Sequence, residues 1–389
     1  KMFKSLKNRT PLGWLQLKHD KMKMVTALAG IAFADILMFM QLGFKDALFT
    51  TNTQYPRLIK GDIILLSTQA TNFNKLYTFP RRRLYQAMDV PGVESAEPVY
   101  TGSLDWRNPQ TREKTSMMVI GFDPEAPAFD LPEVNSQLDK VKMPDRVLFD
   151  RASRGKYDEI IAQVEQGKVV TTESDRTTLT ITGLFELGAS FADDGALMTS
   201  DYNFLRLFPG KEQGTVSFGI INLEEEQDPV AVRQALNIHL PEDVEAYTHE
   251  EYVDKELTYI QNRSPIGFVF TLGTTMGFIV GIVIVYQVLS TDVNDHMAEY
   301  ATFKAMGYKN SYLLFVVFEE AIILSIAGFI PSTILAIGLY QLTAAATALP
   351  IALSVSRAIT VLMLTLVMCG VSGAIATRKL QSADPADIF

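Results

Sequence analysis

The stretch HEEYV at 249–253 begins as a zinc-peptidase helix would, with a histidine followed by a glutamate. A two-histidine zinc site needs its second ring one helical turn later, and that position is Val253. The remaining histidines, His19, His239 and His296, are scattered, and Cys369 is the single cysteine. The sequence has no G-x-x-x-x-G-K-[ST] loop to cradle ATP phosphates and no G-x-S-x-G nucleophile elbow. With one cysteine and no histidine cluster, a zinc site is not expected either. The chain therefore reads as non-catalytic, with no catalytic residue and no metal site of its own. A solitary cysteine also excludes a disulfide within the chain and leaves the redox compartment open.

Ionisable residues inside apolar runs are the next candidates for chemistry. Asp35, Glu319 and Glu320 are of this kind. A carboxylate at mid-span costs about 2.5–3.5 kcal/mol on insertion scales, so it faces a bundle interior or water. Asp35 is read either as a proton or substrate site, or as a group protonated or hydrogen-bonded across a helix interface. Glu319 and Glu320 lie two turns into their run, where a polar contact with a neighbouring helix is expected. Ser325 and Gly328, with Ala327, Ser332 and Ala336, form a set of small residues that lets another helix approach closely. Pro331 is expected to kink that run.

Charged residues make up 20% of the chain, yet they nearly vanish from 24–44, 265–289, 313–342 and 359–377. A helix rises about 1.5 Å per residue, so about 20 apolar residues cross the hydrocarbon core. All four windows are long enough. The expected fold is an α-helical membrane protein with four transmembrane helices and a mixed α+β domain between the first and second. The first window is too long for a cleaved signal and lacks a small-residue cleavage pattern, so it reads as a retained span.

Basic residues crowd the segment before the first window and follow the fourth as Arg378 and Lys379, which places both ends on the cytoplasmic side. The 50–262 segment carries 34 acidic against 21 basic residues, and the remainder 10 against 14. An acidic outer domain argues against nucleic acid as a partner. The expected division is a cytoplasmic segment 1–21 with an interfacial helix from Pro11 on the lipid membrane, then a first span 22–49. A periplasmic domain 50–248 and a stalk helix 249–263 follow. Next come a second span 264–290, a coupling region 291–310 and a third span 311–342. A short outer loop 343–357, a fourth span 358–378 and a tail 379–389 complete the chain.

Within the outer segment, GDIILLS, ESAEPVY, TSMMVIGF, RVLFDR, RTTLTITGLFE and TVSFGIINL read as strands. PRRRLYQAM, KYDEIIAQVEQ, SDYNFLRLF and DPVAVRQALNIHL read as helices. The segment stands as one domain or divides near Asp150.

Between the second and third runs lies DHMAEYATFKAMGYKN, 295–310, a charged and half-apolar connector. Met297, Tyr300, Ala301 and the stem of Lys304 line one side of a short helix, with Glu299 and Thr302 toward the other. Gly307 is placed to end it in the left-handed conformation, and Asn310 or Ser311 to cap the next helix. Spacing alone leaves two readings open, a coupling helix held by a partner and an ordinary interfacial connector.

The segment EYATFKAMGYKNSYLLFVVFEEAIILSIAGF resembles FtsX/MacB-type ABC transporter permeases, with Glu299, Phe303, Lys304, Ala305, Met306 and Gly307 matching the coupling-helix pattern. Glu320, Ala321, Ser325 and Gly328 match the span that follows, and the ending KLQSADPADIF resembles the family's tail. The order of one span, a large outer domain and three spans is similar too. ALAGIAFADILMFMQLGFKDALF, GDIILLS and RRRLYQAM look most like the cyanobacterial DevC branch.

The resemblance implies a homodimeric permease in the bacterial inner membrane. A separate DevA-like ATPase would bind ATP and Mg, a DevB-like membrane-fusion adaptor would join outside, and a TolC-like outer-membrane channel would complete the path. It further implies ATP-driven export of a lipid-like or amphipathic cargo, glycolipid in the DevC branch. The alternative is an FtsX-like signalling protein that regulates a periplasmic cell-wall hydrolase. A proton-coupled transporter centred on Asp35 is a third reading.

Overall fold

The computed structural model describes residues 21–174, 177–212, 214–299, 302, 306–307 and 310–377. The described residues fall into two compact units, one within 21–46, 268–342 and 351–377, the other within 47–267 with 343–350. The first long helix, α1 (Lys21–Leu58), contributes residues to both.

The second unit is α/β. Its strands are β1 (Ile63–Ser67), β2 (Phe79–Pro80), β3 (Val93–Arg107), β4 (Lys114–Phe122), β5 (Arg146–Asp150), β6 (Val170–Ser174), β7 (Thr177–Phe185), β8 (Ala196–Ser200), β9 (Thr215–Val216), β10 (Phe218–Leu223) and β11 (Val244–Thr248). Its helices are α2 (Arg82–Ala87), α3 (Pro132–Asn135), α4 (Asp158–Glu165), α5 (Asp201–Leu207), α6 (Pro229–His239) and α7 (His249–Asn262). Nine strands form one mixed sheet in the order β11-β1-β10-β3-β4-β8-β5-β7-β6, and β2 pairs with β9. Two neighbours, β4–β8 and β5–β7, run parallel. A bridge from Trp106 to Ser174 joins β3 to β6, so six of the strands curl back into a ring.

Strand composition explains this layout. β1 is apolar at successive positions because both faces are covered. Ile63 and Leu65 enter one core, and Ile64 and Leu66 enter the other. β7 instead alternates, burying Leu179, Ile181 and Phe185 while its threonines stay partly open. Trp106 anchors the ring interior, stacked on Phe149 at 5.5 Å, which meets Tyr157 at 4.8 Å. Each of the ten segments read from sequence as strand or helix overlaps an observed element of that type. β3 runs well past 94–100, because its glycine-containing second half pairs with β4 as far as Arg107↔Lys114. The pattern did not mark β6, β8 or β11. Strand β5, which ends at Asp150, lies inside the sheet between β8 and β7.

Asp150 is fully buried and organises the neighbouring loop. Its carboxylate accepts from the backbone N–H of Ala152 at 3.0 Å, Leu187 at 3.0 Å and Gly188 at 2.7 Å. Burial raises its pKa, opposed by those three donors. The Gln54 side chain on α1 donates to the Leu187 carbonyl at 2.5 Å. Arg154 sits beside the loop, donating to Asp194 at 2.7 Å, to the Ser190 carbonyl at 3.0 Å and to the Thr347 carbonyl at 2.5 Å.

The first unit is helical. With α1 it holds α8 (Pro265–Asp295), α9 (Asn310–Thr347) and α10 (Val355–Ala376). Among the described residues these four helices are long and apolar enough to cross a membrane. The α/β unit is inserted in sequence between the first and second. Helix α9 continues unbroken through Pro331. The interfacial helix expected from Pro11 and the tail 379–389 lie outside the described residues.

Asp150→Ala leaves three backbone donors without their acceptor, so the α/β unit should lose about 3 kcal/mol. A fall of several degrees in the thermal melt, larger than that of Asp150→Asn, is the expected reading.

Candidate functional site

The centre of the helical unit is built where small residues let helices approach. On α9, Ser325, Gly328, Ser332 and Ala336 fall on one buried stripe with Ala321. Gly328 faces Ile31 of α1, and a Cβ added there would lie 2.6 Å from Ile31 Cγ2 and 2.9 Å from its Cβ. Gly43 of α1 accommodates the ring of Tyr340 in the same manner, with 2.6 Å left to Cε1. Ile31, Ala34, Leu289, Leu324 and Met368 form the apolar core around these contacts.

Asp35 of α1 lies fully buried beside this stripe. Thr365 Oγ1 of α10 is 2.6 Å from Asp35 Oδ1, and Ser332 Oγ of α9 is 3.1 Å from Oδ2. Each hydroxyl also lies 2.8 Å from a carbonyl of its own helix, Val361 for Thr365 and Phe329 for Ser332. A hydroxyl has one proton, so it serves the carboxylate or its own backbone, and an ionised Asp35 draws both protons toward itself. Asp35 thus ties α1, α9 and α10 together.

A second charged group gathers near the end of α8. Glu320 of α9 is 1% exposed, and neither carboxylate oxygen has a hydrogen-bond partner among the described residues. Asp292 of α8 and Lys23 of α1 are the charges that act on it. His296 Nδ1 stands 3.5 Å from Asp292 Oδ2, and Lys23 pairs with Asp295. Glu319 is only half-buried.

Sequence reading missed Arg357, assigned to the outer loop, and its partner Asp46. Arg357 is buried at the start of α10, with Nε 3.0 Å and Nη2 2.5 Å from Asp46 Oδ2, and Nη1 2.8 Å from the Ala352 carbonyl. Its guanidinium lies 5.3 Å from the centre of the Tyr340 ring, and the Tyr340 hydroxyl donates to the Phe39 carbonyl. The signal was available: opposite charges flank the first and fourth runs at the end that topology brings together.

In the connector, residues 297–299 are helical and Glu299 is exposed. The Met306 N–H donates to the Thr302 carbonyl at 3.0 Å, one helical turn back. Met306 is 61% exposed, and Gly307 adopts φ +90°, the left-handed conformation that ends a helix and that glycine takes without a Cβ clash. Helix α9 then starts at Asn310. Phe303, Lys304 and Ala305 lie outside the described residues.

This arrangement defines a multi-span membrane protein whose α/β domain is inserted between the first and second spans. Residues 271–385 match the family described as FtsX-like permease C-terminal, a region that includes the connector and the last three spans. A comparison with curated proteins returned no match. Among solved structures, the chain is similar to the periplasmic region of MacB from Actinobacillus actinomycetemcomitans, at 10% identity and TM-score 0.35, over 54% of this chain and 96% of that one. It is also similar to the extracellular domain of the noncanonic ABC-type transporter YknZ from Gram-positive bacteria, at 14% identity and TM-score 0.31, over 48% and 98% respectively.

Two outcomes follow for the bundle. Asp35→Ala should lower its stability by about 1–2 kcal/mol, while Asp35→Asn keeps hydrogen-bonding capacity and stays within a few degrees of the parent melt in detergent. Gly328→Ala forces a Cβ against a β-branched side chain that cannot swing aside, at a cost of about 1–3 kcal/mol. Adding Ile31→Ala should recover part of that loss, which a double-mutant cycle of melting temperatures will measure.

Proposed function

We propose that this chain is the membrane subunit of an ABC-type export system, turning ATP hydrolysis on a separate subunit into movement of its α/β domain. The observation that carries this reading is the match over 271–385 to FtsX-like permeases. The connector inside that region supports it. Met306 donates its N–H to the Thr302 carbonyl and is exposed beside a glycine held at φ +90°, which offers an apolar side chain to a partner. A rigid helix seated in a partner's groove transmits displacement, which a flexible turn does not. In this reading a DevA-like ATPase is that partner and holds the nucleotide and its Mg.

In this reading Glu299, Phe303, Lys304, Ala305, Met306 and Gly307 form the ATPase-coupling element, and both chain ends face the cytoplasm with it. Two copies of the permease pair in the bacterial inner membrane. The α/β domain lies in the periplasm, where a DevB-like adaptor and a TolC-like channel continue the path for a lipid-like or amphipathic cargo. Asp35, Ser325 and Gly328 hold the spans together as they shift. The likeness to the DevC branch supports a glycolipid as the cargo.

The test is Met306→Glu combined with Gly307→Val, which places a charge on the apolar contact and a β-branched residue at positive φ. Permease-stimulated ATP hydrolysis and export should fall at least tenfold, while membrane insertion, followed by protease accessibility, stays unchanged. Undiminished stimulation by the double variant would overturn the coupling assignment.

A further inference from the structure

Strand β3 changes partners along one edge. β10 covers that edge as far as Val99↔Phe218, and β6 meets it again at Trp106↔Ser174. Between those points β3 has a ladder only on its other side, with β4. The Thr101 N–H and carbonyl point to the open side, where Ser217 Oγ accepts from the N–H at 3.0 Å and Lys211 Nζ donates to the carbonyl. Backbone groups alternate in direction along an antiparallel strand, so those of Ser103 point the same way. Met118, opposite Ser103 on β4, agrees: its own N–H turns away to the Gly195 carbonyl at 3.0 Å. Among the described residues the Ser103 N–H and carbonyl have no hydrogen-bond partner, and Ser103 is exposed. A short piece of strand edge is left able to pair.

A cavity of about 430 Å³ adjoins this piece, lined by residues 101–103 with Tyr77, Met118 and Lys211 among others. Besides the Thr101 carbonyl, two rings hold the Lys211 ammonium, with centres 5.2 Å away for Phe204 and 5.9 Å for Phe208. The Lys211 N–H donates to the Phe208 carbonyl at 3.1 Å. Gly102 lets the Phe208 ring lie against β3, since a Cβ there would be 3.0 Å from Phe208 Cε1. No carboxylate forms an ion pair with Lys211 among the described residues. An ammonium has three protons to donate, and the carbonyl takes one, so two remain for an anion. Tyr77 joins the lining from the β1–β2 connection, 56% exposed and at φ +52°, a backbone conformation uncommon for a bulky residue.

We propose that this edge binds an extended peptide segment bearing a carboxylate, with its backbone paired to Ser103 and its acid on Lys211. Strand addition suits the gap: Thr101 to Asp105 spans roughly 14 Å at about 3.4 Å per residue, room for about four residues. Main-chain pairing accepts many sequences, and the charges give the segment its direction. Asp105 is exposed at the far end of the gap and repels a second acid there, so the carboxylate belongs at the Thr101 end, where Lys211 stands. A free strand edge and an unpaired ammonium beside one cavity fit a peptide better than a bare anion, which would leave the Ser103 groups unused. The site does not depend on the export reading and can fail or hold separately from it.

The probes are fluorescent, end-capped tetrapeptides of valine and threonine with one glutamate, placed at each position in turn, added to the full chain in detergent. By fluorescence anisotropy at least one should bind saturably below about 1 mM. Its binding should slow deuterium uptake across 100–106 and leave β7 unchanged. Replacing the probe's glutamate by glutamine should weaken binding about fivefold, Lys211→Gln should do the same, and the two together should cost no more than either alone. N-methylation of the probe backbone should abolish binding, because the ladder loses its donors. No saturable binding by any probe overturns the proposal. So does protection that misses 100–106, full affinity in Lys211→Gln, or N-methylation without effect. Should Lys211→Gln fail to accumulate, the glutamine probe tests the ion pair by itself.

Discussion

A charge removed from water has to find its compensation within a few ångströms, and that constraint shapes both units of this protein. In the helical unit, Asp35 is answered by two hydroxyls from two other helices, and Arg357 by Asp46 and a backbone carbonyl. Neither helix pair could be slid by one turn without stranding a charged group in an apolar interior. The apolar faces, rich in interchangeable Ile, Leu and Val, carry no such register information. The polar contacts fix which turn meets which, and the small residues around Gly328 fix how closely.

The same constraint operates differently in the α/β unit. Asp150 is well satisfied, with three backbone donors that make it a fixed point for the loop at 187–188. Glu256 is under-satisfied, with one oxygen sealed from solvent and unmatched. Well-matched buried polar groups rigidify, and a buried oxygen left without a partner costs stability. One domain holds both kinds. Asp150 lies at the end of strand β5, and Glu256 on helix α7.

The proposed coupling element fits this contrast. Its described part holds Glu299 and Met306, both exposed, followed by a glycine in a conformation other residues resist. Glu320, buried on the next helix, has neither carboxylate oxygen in a hydrogen bond among the described residues.

The sequence by itself determined what depends on local composition. Four long uncharged runs can only be buried helices or spans, alternation and β-branching marked β4, β5 and β7, and Gly307 after a short helical pattern announced its left-handed stop. Tertiary structure alone decided the rest. That Asp35 would meet Ser332 and Thr365, residues 297 and 330 positions away, follows from helix packing and not from any pattern along the chain. β6, β8 and β11 are strands because neighbours supply their ladders, with residues too short or too polar to declare it. Whether a carboxyl such as Glu256 is solvated or sealed depends on what folds over it, and single-residue patterns carry no record of that.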